Sequence, residues 1–141
     1  MMPRQKMIGQ SGEYLVCAEL SEKELNCVPV NESCAYDVIL DYGRLAKIQV
    51  KTSNYSPSEC SIKFAISRRN TTNRLYKKRD ADLFALVWLD KKKIAWFPFE
   101  ECVGWKKSVR KNKFDDFTLE RALSIIESNK AARNKDIEKE G

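Results

Sequence analysis

Tyr36-Asp37-Val38-Ile39-Leu40-Asp41-Tyr42-Gly43-Arg44-Leu45-Ala46-Lys47-Ile48-Gln49-Val50-Lys51-Thr52 reads as two extended segments joined by a tight turn. Gly43 supplies the turn signal, because glycine reaches backbone conformations that other residues avoid. Along a strand alternate side chains share a face, so Gln49 and Lys51 project from one side while Ile48 and Val50 project from the other. A short turn brings the start of the first strand alongside the end of the second. Asp37 is therefore expected close to Gln49 and Lys51.

Outward from this hairpin, the pattern alternates helix and strand signals. Upstream, Ser11 is a candidate helix cap, followed by Leu15, Val16, Cys17, Ala18 and Leu20 as core-facing positions, with the helix ending near Leu25. A short strand is expected over residues 27–30. Downstream, Ile62, Phe64 and Ile66 share one face of a strand over residues 60–67. Residues 68–79 hold six basic side chains and no acid, and read as an exposed loop. Residues 83–89 form a continuous apolar run suited to a buried strand, and Asp90 with three lysines turns it into a partner over residues 94–97. Pro98 ends that pairing. A second basic segment, residues 106–113, precedes Thr118, which caps a helix carrying Leu119, Ala122, Leu123, Ile125 and Ile126. The expected fold class is α/β, mixed α+β, with a central mixed sheet flanked by an N-terminal and a C-terminal helix. One domain spanning residues 1–141 is expected, its charged tail over residues 130–141 frayed.

Bulk properties narrow the function. A chain of 141 residues, 43% hydrophobic, is long enough for one packed core. Its net charge of +6 favours polyanionic partners. The sequence contains no histidine, which removes His-dependent triads, imidazole bases and most zinc chemistry. The five cysteines are odd in number and lack a CxxC spacing, as expected of reduced core thiols. Neither a secretory leader nor an apolar run of membrane-spanning length is read in the sequence, so an intracellular, cytoplasmic location is expected.

Hydrolysis of a phosphodiester needs a hard cation, oxygen ligands to hold it and a group that positions water. Asp37 and the Gln49 amide oxygen are candidate ligands, with the Val50 carbonyl as a third. Lys51 suits the orientation of water and the stabilisation of charge developing on phosphorus. Glu13 lies nearly in line with Cys17 and Leu20 on the first helix, and a carboxylate on that side needs a cation, a metal or a hydrogen-bonding partner such as Lys51.

Asp37, an eleven-residue gap and then Gln49-Val50-Lys51 resemble the signature of the PD-(D/E)XK nuclease superfamily. Gly12-Glu13-Tyr14-Leu15 and the segment from Arg44 to Ser53 resemble its branch containing group I intron-encoded homing endonucleases. The resemblance implies a modified restriction-endonuclease-like core, with Asp37, Gln49 and Lys51 catalytic and Glu13 assisting the metal. It implies a magnesium-dependent endonuclease of double-stranded DNA, with manganese able to substitute, of the site-specific homing type. Tyr36 stands where the superfamily has proline, and Gln49 where it usually has an acid.

Within the two basic segments, Arg68, Arg69, Asn70, Asn73, Arg74, Lys77, Lys78 and Arg79 are candidate DNA contacts, as are Lys106, Lys107, Arg110 and Lys111. Asn70, Asn73 and Arg74 are suited to base edges. Asp80 and Asp82 are read as structural, capping or pairing with the basic loop. One active site cuts one strand, so a homodimer or homotetramer is expected. Two alternatives stay open: a Holliday-junction resolvase, and a catalytically inactive DNA-binding module of the same fold.

Overall fold

A computed structural model describes residues 4–30, 36–53, 60–66, 77, 80–104 and 106–140, with side chains through Ala132. In chain order the elements are α1 (Arg4–Glu22), β1 (Asn26–Pro29), β2 (Val38–Asp41), β3 (Leu45–Ser53), β4 (Ser61–Ala65), β5 (Leu83–Trp88), β6 (Lys93–Pro98), β7 (Lys106–Arg110) and α2 (Leu119–Glu140). Five strands form one sheet in the order β1-β2-β3-β5-β6, and β4 pairs with β7 in a separate two-stranded sheet. Only the β3–β5 pairing is parallel, so the central sheet is mixed.

β5 explains the layering. All six of its residues are buried, because the sheet is covered on both faces. Leu83, Ala85 and Val87 join Val38, Leu40, Ile48 and Val50 against Val16 and Leu20 of α1 and Leu119, Ala122 and Ile126 of α2. Phe84, Leu86 and Trp88 join Ile62, Phe64, Val109 and Phe114 on the opposite side. Both helices thus cover one face and the β4–β7 ribbon covers part of the other. Each large apolar side chain fully buried in these two clusters contributes roughly 1.5–3 kcal/mol.

The β2–β3 turn forms as the sequence predicts: Gly43 has φ +97° and its N–H donates to Asp41 Oδ1 at 3.0 Å. At the β5–β6 connection a 3₁₀ turn over Leu89–Lys91 ends at Lys92 with φ 54°. Pro98 is the last residue of β6, opposite Leu83. Thr118 caps α2, accepting the Arg121 N–H at 3.2 Å.

Three expectations are corrected. α1 starts at Arg4, so Ser11 lies inside it and its hydroxyl donates back to the Met7 carbonyl at 2.9 Å, a bond available to serine within a helix. The helix also closes at Glu22, with Glu24 at φ 61° leading into β1. Residues 106–110, read from sequence only as a basic segment, form a strand that pairs with the one around Phe64. Cys60 is exposed rather than a core thiol, whereas burial pushes the Cys102 thiol up to about 12 and keeps it protonated. Among the described residues no helix is long and apolar enough to cross a membrane.

α1 lies close against β3 because Gly12 carries no side chain. A Cβ there would overlap Thr52 Oγ1. Trp96 Nε1 donates to Glu19 Oε2 at 3.0 Å and fastens the same helix to β6. Gly12→Ala should therefore lower the unfolding free energy, read from chemical denaturation, by about 1–3 kcal/mol, the usual cost of overpacking, although alanine is the better helix former. Adding Thr52→Ala should recover most of the loss in a double-mutant cycle. A Gly12→Ala protein as stable as the parent contradicts this contact.

Candidate active site

The site arises where one strand stops and its neighbour continues. β2–β3 pairing ends at Val38 opposite Ile48, and the Asp37 N–H closes the last rung on the Ile48 carbonyl at 2.8 Å. β3 runs on to Ser53, held on its other side by β5, with Gln49 opposite Phe84 and Lys51 opposite Leu86. On the vacated side its backbone groups need new partners, since buried amides are rarely left unpaired.

Asp37 provides one. Its Oδ2 accepts the Val50 N–H at 2.9 Å and the Gln49 side-chain amide at 2.8 Å. Backbone groups of one residue point to the same side of an antiparallel ladder, so the Val50 carbonyl faces the same edge. Gln49 Nε2 reaches that carbonyl as well, at 3.3 Å. Gln49 is 7% exposed. It presents its nitrogen, not its oxygen, to Asp37, so in this arrangement it braces the carboxylate instead of offering the ligand oxygen expected from sequence.

Glu13 arrives from α1, one residue past the Gly12 contact. Its side chain is hydrogen-bonded to Asp37. Burial raises the Asp37 carboxyl above the usual aspartate range, and the Val50 N–H, the Lys51 charge and Glu13 pull it partly back. Lys51 therefore stands near enough to Asp37 for its charge to be felt. Beside them opens a cleft of about 440 Å³, bordered by Glu13, Val50, Lys51, Lys63, Phe64 and Ala65 among others. Asp37 and Gln49 do not line it and sit behind its rim.

These groups fit a hard divalent cation. Such ions take oxygen ligands, and the Glu13 and Asp37 carboxylates with the Val50 carbonyl are oxygen donors drawn to one strand edge. A cation there would also offset the cost of bringing two carboxylates together at a partly buried strand edge. Among the described residues no three His, Cys, Asp or Glu side chains gather as a metal cluster, so the backbone carbonyl is needed to complete the donor set.

The other candidates divide. Arg68, Arg69, Asn70, Asn73, Arg74, Lys78 and Arg79 lie outside the described residues. Lys77 is exposed, and its N–H donates to Asp80 Oδ2 at 2.7 Å. Asp80 thus caps a turn, whereas Asp82 Oδ2 accepts the Lys47 N–H at 2.9 Å where β5 joins β3, a partner outside the basic segment expected for it. On β7, Lys106 and Arg110 are exposed. Lys107 instead lies over the Phe97 ring at 4.6 Å, and Lys111, just past the strand, over Trp88 at 5.6 Å. Sequence reasoning missed Lys63, although the alternation that places Ile62 and Phe64 on one face places Lys63 on the other. The contact of Gly12 with Thr52 was not read from the motif that contains Gly12, because a helix–strand contact carries no local signature.

A family model described as PD-(D/E)XK endonuclease matches residues 3–125. Among solved structures, the fold resembles that of a bacterial homing endonuclease, I-Ssp6803I, with a TM-score of 0.68 and 18% identity over 93% of this chain and 99% of that one. No curated protein matches the chain. Matched over most of its length, and with Asp37, Gln49, Val50 and Lys51 gathered at the open edge of β3, the chain belongs to the PD-(D/E)XK endonuclease family.

Proposed function

We propose that this protein is a metal-dependent endonuclease that hydrolyses phosphodiester bonds of double-stranded DNA. The observation that carries this reading is the convergence of Glu13, Asp37 and Lys51 on the strand edge where the Val50 carbonyl is turned outward. Magnesium, or manganese in its place, is the ion we expect. Glu13, Asp37 and the Val50 carbonyl would hold it, and it would supply polarisation of the phosphate and a more acidic water.

The chain's own residues do the rest. The Val50 N–H and the Gln49 amide both donate to Asp37 Oδ2, so its carboxyl group is oriented before substrate arrives. Gln49 does so without a second buried negative charge, which lowers the repulsion within the site. The Lys51 ammonium, at the cleft surface, orients the attacking water and meets the charge that builds on the phosphoryl oxygens. β3 keeps these roles in register because Gln49, Val50 and Lys51 are consecutive on a strand fixed by β5. Site-specific cutting of the homing type is the finer part of the proposal, as is assembly as a homodimer or homotetramer, which would place two cleavage centres on one duplex.

Lys51→Ala should reduce magnesium-dependent cutting of duplex DNA by roughly 100-fold or more while duplex binding persists. Undiminished cutting by that variant overturns the catalytic role of Lys51. A second prediction concerns stability. Asp37 has a raised carboxyl pKa in the fold, so it is neutral in effect below its unfolded pKa and becomes a net cost as pH rises through the two values. Metal-free Asp37→Asn should therefore melt higher than the parent at neutral pH, with the advantage vanishing in acid. Added magnesium should raise the melting temperature of the parent and leave Asp37→Asn unmoved. Equal metal responses would remove Asp37 from the ligand set.

A further inference from the structure

The β4–β7 ribbon has two unlike faces. Ile62, Phe64 and Val109 are buried against the sheet. The outer face has three rungs: Ser61 opposite Arg110, Lys63 opposite Ser108, and Ala65 opposite Lys106. Lys63, Ala65, Lys106, Ser108 and Arg110 are exposed. Every rung sets one long cation against one small residue, so the three positive side chains are staggered between the strands. No acid interrupts them.

A ribbon arranged only for its own stability gains by setting opposite charges across its rungs. This one collects a single sign of charge, an arrangement that costs free energy until a polyanion meets it. Its location gives the charge a use. Lys63 and Ala65 border the cleft that also holds Lys51 and Glu13. At the other end of the ribbon, Ser61 and Arg110 open with Lys111 and Asn112 onto a cavity of about 550 Å³. Hydrogen-bond donors therefore run without an intervening carboxylate from the cleft to the end of the ribbon. The major groove is about 12 Å wide and admits a two-stranded β-ribbon. A ribbon with one face packed on the protein and the other studded with alternating long and small side chains is suited to lie there face down.

We propose that this outer face reads DNA sequence in the major groove beside the cut, a deepening of the nuclease reading that rests on duplex DNA being the substrate. Arg110, whose guanidinium matches the paired acceptors of a guanine edge, is the base-reading residue. Ser61 and Ser108 supply shorter contacts. Lys63 and Lys106 hold the flanking phosphates, Lys63 on the side nearest the scissile bond.

The test is a binding selection from a duplex library with a randomised centre, run without divalent metal, followed by affinity measurements over a range of salt. Arg110→Ala, Arg110→Lys, Lys63→Ala and Lys106→Ala are compared with the parent and with Lys130→Ala, a charge control on α2 behind the sheet. All four ribbon substitutions are at exposed positions, and matched melting temperatures confirm folding. Arg110→Ala and Arg110→Lys should each relax preference at one base pair by roughly tenfold, with Arg110→Lys retaining the parent salt dependence. Lys63→Ala and Lys106→Ala should keep the selected sequence, weaken binding to all duplexes and lower the salt slope by about one. The proposal is overturned if all four match Lys130→Ala. It is also overturned if the Arg110 variants bind more weakly with no position relaxed, the pattern of backbone contact alone. Magnesium cleavage by the parent is assayed separately, so a protein that selects sequence through the ribbon but never cuts defeats the nuclease reading and leaves the ribbon assignment standing.

Discussion

The site depends on one hydrogen bond between a side chain and the backbone: the Val50 N–H donating to Asp37 Oδ2. It exists because β2 begins one residue after Asp37 while β3 runs five residues past their last shared rung. The open edge would otherwise leave an amide unpaired beside an apolar wall. Asp37 satisfies it, and the same bond fixes the direction of the carboxylate and turns the Val50 carbonyl to the same side. Strand pairing, hydrogen-bond satisfaction and the placement of ligand oxygens are therefore one geometric fact.

This economy has a cost in stability. Asp37 is a partly buried acid with a raised pKa, and Glu13 stands within hydrogen-bonding reach of it. Nothing about the core requires them together, and an apolar pair would pack there at less expense. Gly12 adds to the cost, since a glycine in mid-helix loses more conformational entropy than alanine. It is needed because only a bare backbone lets α1 approach β3 closely enough for Glu13 to arrive. Two carboxyl groups drawn to one edge of a well-packed sheet are what a binding site for a cation would leave behind when its own residues are considered alone.

Much of this was legible in the sequence, for reasons that differ between residues. Asp37, Gln49 and Lys51 were found because strand alternation is strict and the Gly43 turn sets the pairing, so local rules determine their approach. Glu13 was legible through helical periodicity, which put an acid on a face where it needed a partner. The direction of the Gln49 amide was not legible, because it is decided by the Asp37 oxygen and the Val50 N–H rather than by anything on β3. The partner of β4 was also hidden. Residues 106–110 carry three cations in five positions, and their charge masked a strand whose one inward anchor is Val109. The start of α1 was misplaced because Ser11 looks like a cap, and only its bond to Met7 reveals that the helix had already begun.

The two layers over the sheet divide the work. α1 and α2 close one face, with α1 carrying Glu13 to the strand edge, while the β4–β7 ribbon packs on the other face against Phe84, Leu86 and Phe97. The most direct measurement is anomalous diffraction from crystals soaked in manganese. The account predicts a metal peak bonded to the Asp37 and Glu13 carboxylates and to the Val50 carbonyl, with the Lys51 ammonium beside it. A bound metal seated elsewhere, with none between the Asp37 and Glu13 carboxylates, would contradict it.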